Sequence, residues 1–201
     1  AGAAGKVVLA AAAARVDPRR VGGIDHLARI RATYAAGRYG ANTYDQAYAL
    51  LALRAAGASI PRAAITSLGR ARGTGGWGYT LSRTARDDVS ATAITIEAMR
   101  AAGVSSRNSG LRAATAWMMA QRNAAGGFAI DGGNRPSEAN STALAIRALR
   151  AMGRTPPPAL TRQLRRLQET DGGFRFTATQ RESRQLATLD AVLALSGKRL
   201  P

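Results

Sequence analysis

Four stretches of the chain read alike, and their spacing constrains the fold more than any other feature. They are NTYDQAYALLALRAAG (42–57), DVSATAITIEAMRAAG (88–103), EANSTALAIRALRAMG (138–153) and ESRQLATLDAVLALSG (182–197), the last being the weakest match. Each runs fifteen residues from a polar or acidic starter to a closing glycine, and the glycines recur every 44 to 50 residues. A side-chain oxygen at the starter can accept from one of the unpaired N–H groups that begin a helix. Glycine suits the left-handed residue that ends one. Between those ends, small apolar residues occupy nearly every side, which is the pattern of a buried helix. A period in this range marks tandem units that bury their apolar faces on one another.

A second kind of segment alternates with the first: PRAAITSLGRARGTGGWGY (61–79), LRAATAWMMAQRNAAGGFAI (111–130) and LTRQLRRLQETDGGFRF (160–176). Each has an amphipathic stretch and then Gly-Gly-aromatic. Leu160, Leu164 and Leu167 fall at helical spacing with arginines between them, as on a surface helix with one apolar stripe. Residues 22–40 read as a degenerate copy, with Arg38-Tyr39-Gly40 in place of Gly-Gly-aromatic. Paired glycines let the backbone turn and approach its neighbour closely, so Trp77, Phe128 or Phe174 can fold into the seam between helix pairs. The pattern predicts helices over 3–16, 22–36, 43–56, 61–71, 88–102, 108–122, 138–152, 157–169 and 182–196, in units of roughly 22–60, 61–107, 108–156 and 157–197. Nine is an odd count for paired helices, which leaves one without a partner. Units of this kind stack into an open solenoid or close into a ring. The interval and the loop fit an all-α, α/α-toroid domain spanning 1–201, a partial or small α/α barrel with the apolar helices inside.

Composition agrees. The chain has 201 residues, enough for one domain with a substantial core, and 46% of them are hydrophobic. Alanine dominates, and it loses no side-chain entropy in a helix. The formal charge is +17, and only Lys6 and Lys198 of the 29 basic residues are lysines, which leaves 27 arginines. They are spread over every segment and are not gathered on one face, so specific nucleic-acid recognition is not indicated. Arg54, Arg100, Arg147 and Arg150 lie near predicted helix C-termini, where a cation complements the helix dipole. An arginine-rich exterior would also attract an anionic surface. With no cysteine and one histidine, disulfides and a Cys/His metal site are excluded by count. His26 is expected to be solvated or to cap a helix. The longest purely apolar run, Val7 to Ala14, has eight residues and is too short to span a bilayer. The chain opens on Ala1-Gly2 and not on Met, which favours a trimmed, exported protein.

The strings QRNAAGGF (121–128) and QETDGGF (168–174) resemble the glutamine-and-aromatic repeat of squalene and hopene cyclases. DGGNRPSEANSTALAIRAL (131–149) and YDQAYALLALRAAG (44–57) resemble bacterial prenyltransferase and squalene oxidase repeat proteins, and the vitamin B12 carriers have a similar ring. The resemblance covers about residues 20–197 and implies the toroid fold; a fold of this kind does not carry a function with it. Class II terpene cyclases protonate an alkene with the middle acid of Asp-x-Asp-Asp-Thr-Ala. The matching stretch runs from Asp88 through Val89, Ser90, Ala91 and Thr92 to Ala93, with Ser90 and Ala91 where the acids would stand. A serine hydroxyl is far too weak an acid for that step. The Glu138 stretch likewise lacks the acid, and Asp88 is left as the weak catalytic candidate beside Asp87. Protein prenyltransferases hold zinc through Asp, Cys and His, a set that the chain does not contain.

The expectation is therefore a toroid that has kept its funnel and lost its chemistry, needing no cofactor. Helix starters Asn42, Asp45, Asp88, Glu138 and Asn140 would gather at one rim with exposed N–H donors, and Tyr44 and Tyr48 would offer flat apolar surface beside them. Tyr44, Asp45, Tyr48, Trp77, Asp88, Glu138 and Asn140 are the expected contacts of a hydrophobic, isoprenoid or corrinoid-like ligand, with Tyr79 a further aromatic candidate. The alternatives are an interaction scaffold with a plugged centre, and a cyclase or mutase with a non-standard acid.

Overall fold

Each apolar stretch becomes a helix closed by the glycine that follows it. A computed structural model describes residues 1–181 and 184–197. Among them the secondary structure is helical apart from isolated bridges. The helices are α1 (Gly2–Ala13), α2 (His26–Ala32), α3 (Thr43–Ala55), α4 (Arg62–Arg70), α5 (Val89–Ala101), α6 (Ser109–Ala120), α7 (Ala139–Ala151), α8 (Pro158–Arg165) and α9 (Arg184–Leu195). No helix among the described residues is long and apolar enough to cross a membrane.

Gly57, Gly103 and Gly153 have φ of 64°, 90° and 74°. Past each of them an amide turns back to the carbonyl five residues earlier: Ala58 to Leu53, Val104 to Met99, Arg154 to Leu149. This satisfies carbonyls that the helix end would leave unpaired. Helix α1 stops the same way without a glycine. Arg15 takes φ 57° and Val16 N–H donates to Ala11 O, so the helix ends at Ala13 and not at 16 as its composition suggests. The 22–36 prediction shrinks to α2 because Gly22 and Gly23 form a left-handed turn and Asp25 then caps the helix by accepting from Ala28 N–H at 2.8 Å. His26, expected in solvent or as a cap, is the first residue of α2 and is buried, with Nε2 3.3 Å from Val21 O. Glu182, the expected starter of the last helix, lies outside the described residues, and α9 is described from Arg184.

The odd-numbered helices pack in series, α1 on α3, α3 on α5, α5 on α7 and α7 on α9. This core row carries most of the buried apolar residues, and every residue of α5 from Val89 to Met99 is buried. The even-numbered helices flank it: α2 packs on α1, α4 on α3 and α5, α6 on α5 and α7, α8 on α7. They bury one narrow stripe each, Ala64 and Leu68 in α4 and Leu160 and Leu164 in α8, and leave Arg62, Arg70, Arg162 and Arg165 in solvent.

The loops join the two rows with one contact made four times. The backbone N–H of Trp77 donates to Thr92 Oγ1 at 2.9 Å, that of Phe128 to Thr142 Oγ1 at 3.0 Å, and that of Phe174 to Thr188 Oγ1 at 2.9 Å. Tyr39 N–H donates to Gln46 Oε1 at 2.7 Å, so the degenerate copy makes the same bond. All four aromatic side chains are buried, and Trp77 Nε1 finds Leu68 O at 2.7 Å. The glycine before Trp77, Phe128 and Phe174 is dictated by proximity. A Cβ on Gly76 would collide with Thr92 Oγ1, and one on Gly127 with Ser137 Oγ. Thr142→Val keeps the shape and removes the acceptor, leaving a buried N–H unpaired. It should cost about 1–3 kcal/mol in urea unfolding, whereas Thr66→Val on the exposed face of α4 should stay within about 0.5 kcal/mol of the parent.

Candidate functional site

The N-termini of the core helices are occupied by protein. Thr43 N–H donates to Tyr79 O at 2.8 Å, Val89 N–H to Ile130 O at 2.9 Å and Ala139 N–H to Phe176 O at 2.8 Å. In each case the acceptor lies two residues beyond the loop aromatic of the next unit. Inside the first turns, Asn42 Oδ1 accepts from Asp45 N–H at 2.8 Å and Asp88 Oδ1 from Ala91 N–H at 2.6 Å. At these five amides of α3, α5 and α7 the donors expected at an open rim are taken by neighbouring loops and caps.

What the core row does present is a set of polar side chains from five helices. Ser90 Oγ of α5 lies 3.0 Å from Ser141 Oγ of α7, and Ser141 Oγ donates to Glu138 Oε2 at 2.7 Å. The Tyr44 hydroxyl of α3 faces Ser90. Next along the same helices, Arg147 of α7 donates through Nε and Nη2 to the two carboxylate oxygens of Glu97 on α5, at 3.3 and 2.7 Å, and through Nη1 to Asp190 Oδ1 on α9 at 3.3 Å. Asn140 Nδ2 donates to Asp190 Oδ2 at 2.8 Å, while its own Oδ1 is buried without a partner. Lys6 of α1 holds its Nζ 5.0 Å above the Tyr48 ring.

Burial governs the charges. It pushes both phenols, Tyr44 and Tyr48, well above the ordinary tyrosine range, and Asp88 adds to this at Tyr44 and Asp190 at Tyr48. The phenols stay neutral donors. Burial also lifts the Glu97 and Asp190 carboxyls against the pull of Arg147. Desolvation works against the Arg147 charge too, yet Glu97 and Asp190 outweigh it and hold the guanidinium protonated. Asp88 is pushed up to about 6 by burial, opposed by the backbone N–H groups of Ala91 and Ser90 and helped by Asp131 and Asp87.

Of the residues expected from the sequence, Tyr44, Tyr48 and Asn140 belong to this polar face, and Glu138 and Asp88 border it through Ser141 and Tyr44. Asp45 does other work: its Oδ1 accepts Gly2 N–H at 2.7 Å and joins the start of α1 to α3. Trp77 is enclosed in the loop seam, and Tyr79 is 63% exposed beside the Tyr44 ring at 6.0 Å. Arg100 reaches a helix C-terminus, with Nε donating to Ala151 O at 2.9 Å, and Arg150 likewise donates to Ala194 O. Arg147 does not, since Glu97 and Asp190 claim it. Glu97, Arg147, Asp190 and Lys6 were not singled out as site residues from sequence, although a signal existed. Glu97 and Arg147 each stand nine residues after a starter, opposite in sign, inside otherwise apolar helices.

Among the described residues no three His, Cys, Asp or Glu side chains gather as a metal site would require. An open groove of about 590 Å³ lies elsewhere, between α4 and α6 over the end of α5, and none of the expected contacts lines it. The chain matches no protein-family model and no curated protein.

Two outcomes follow from the buried charges. Arg147→Met strands two carboxylates and should cost about 3–5 kcal/mol by denaturant unfolding; adding Glu97→Leu and Asp190→Asn should recover more than half of it. For Asp88 the folded pKa, about 6, lies above the ordinary 3.8, so the native state holds the proton more tightly. Its contribution is fully present below pH 3.8 and lost as pH rises through 6. Asp88→Asn keeps the cap without the charge. Relative to the parent it should gain about 2–3 kcal/mol in stability between pH 3.5 and 8, read from paired unfolding curves.

Proposed function

We propose that the chain is a non-catalytic, terpene-cyclase-like domain of the α/α-toroid type, holding a hydrophobic or corrinoid-like small molecule against the polar face of its core row. Tandem packing of α1, α3, α5, α7 and α9 supports the repeat architecture. Curvature is supported by electrostatics. Helix axes pack 8–10 Å apart, so the ends of a straight five-helix row would stand roughly 35 Å from one another. Charges at that distance are screened in water. Lys6 on α1 nevertheless steadies the Asp190 carboxylate on α9, and Asp190 acts on Tyr44 and Tyr48 of α3. A row bent towards a ring brings those groups together.

The observation that carries the reading is the chemistry of that face. Two neutral phenols, a serine pair and the buried unpaired Asn140 Oδ1 can hold a ligand by its flat apolar surface and its polar edge. No strong acid stands among them. Ser90 and Ala91 replace the acids that the cyclase resemblance would require, and Asp88, raised to about 6, is a weaker acid than an ordinary carboxyl. Asp88 is moreover engaged as the cap of α5, its Oδ1 accepting from Ala91 N–H. A second reading, a scaffold that takes no small molecule, is favoured by the Glu97–Arg147–Asp190 network, which fills part of the same face.

Melting the protein with a cobalamin, with farnesol and with a squalene analogue distinguishes the two. A ligand at one hundred times its Kd stabilises the folded state by about 2.7 kcal/mol, a rise in Tm of about 5–10 °C for a chain of this size. Tyr48→Ala should remove that rise. No shift with any member of the panel overturns small-molecule binding and leaves the scaffold.

A further inference from the structure

Helix α4 works on two faces. Ala64 and Leu68 pack on the core. Arg62, Ile65, Thr66, Gly69 and Arg70, which fall on one stripe of a helix, line the open groove of about 590 Å³ between α4 and α6. Met99 at the end of α5 and Val104 in the turn after it give that groove an apolar floor.

Gly69 keeps the groove open. The residue after the last buried side chain is Arg31 in α2, Met119 in α6 and Arg165 in α8, and in α4 it is glycine. Glycine is the poorest helix former of these. The fold does not require it: its φ is not positive, and a Cβ there would meet no other part of the described chain within 4 Å. A glycine in such a place leaves room for something outside the chain to come close to the helix backbone.

Charge selects the occupant. Arg62 and Arg70 are both exposed, and no Asp or Glu occurs from 46 to 86 or from 98 to 130, the segments that build the groove. Arg62 stands in the first turn of α4, where a cation works against the helix dipole, so helix stability does not account for it. Eight residues along a helix set the two arginines about 12 Å apart. In an extended chain, residues i, i+2 and i+4 lie on one side and span about 13 Å. A segment of the form Glu-x-Leu-x-Glu therefore brings two carboxylates to the arginines and one aliphatic side chain to the floor between them. A flat bilayer would meet only the rim of such a recess.

We propose that this groove is a docking site for an acidic, extended segment of a partner protein, with an aliphatic side chain over Met99 and Val104 beside Gly69 and carboxylates on Arg62 and Arg70. The site shares no residue with the polar face of the core row.

Selection from a displayed library of random dodecapeptides tests it. Enriched sequences should carry two acidic residues four apart around an aliphatic one. A synthetic copy of one should bind, by fluorescence anisotropy, in about 0.15 M salt, where general attraction to a basic surface is screened. Gly69→Leu fills the groove from a position where a Cβ is unopposed, so it should keep the melting temperature and weaken binding at least about tenfold. Arg62→Gln/Arg70→Gln should weaken it likewise, whereas Arg162→Gln/Arg165→Gln, which removes the same charge from α8, should not. No enrichment, enrichment of peptides without acids, or binding that Gly69→Leu leaves intact overturns the proposal. So do vesicles of phosphatidylglycerol that bind the parent and Gly69→Leu alike while no peptide is enriched, an outcome that gives the arginines to a lipid surface.

Discussion

The backbone amide of a loop aromatic, bonded to a side chain one turn into the next core helix, organises this molecule. The bond from Phe128 N–H to Thr142 Oγ1, repeated at Trp77, Phe174 and Tyr39, does three things at once. It draws an aromatic ring into the seam, where its apolar area leaves water. It sets the rotation of the helix that follows, because a threonine bonded to the loop on one side fixes which residues face the other. It also brings up the loop whose later carbonyl closes the preceding core helix, as Tyr79 O does for Thr43 N–H. A helix pair cannot cover its own apolar face, so this contact between units is what makes the array a core.

That arrangement also decides what kind of site the row can have. Helix N-termini are often anion sites, since their amides are free. Here loop carbonyls take the first amides of α3, α5 and α7, and the polar groups brought together on the row are side chains. Those side chains are placed by the same rotation. Glu97 meets Arg147 because each stands nine residues after its helix starter, and Ser90 meets Ser141 one position out of step with it. Burying three ionisable groups in a row is costly unless each finds its partners. Arg147 meets both carboxylates, and Asn140 takes the remaining Asp190 oxygen. The result is a face of polar side chains, each charge of which has a partner.

The helices, their order and their closing glycines were legible in the sequence because each depends on residues within a turn or two of itself. Where that locality fails, the reading slipped by a few residues. Arg15 takes a left-handed conformation that nothing about arginine announces, and the fourth unit follows the bond from Phe174 to Thr188 and not the spacing to Gly197. The buried aromatics of the Gly-Gly loops were legible too, and the second glycine of each pair, Gly76, Gly127 and Gly173, sits where a Cβ has no room.

Periodicity, caps and apolar content belong to the chain itself, and they determined an all-helical array in which buried and amphipathic helices alternate. Which polar residues share a face did not follow from them. His26 was read as solvated or capping and Arg147 as a cation near a helix C-terminus, and only tertiary packing buried the first and supplied the partners that keep the second inside. Asp45 joins α1 to α3, and Asp88 is desolvated by contacts far from it in sequence. Interactions between residues some fifty positions apart are invisible to any local pattern, and in this protein those interactions make the site.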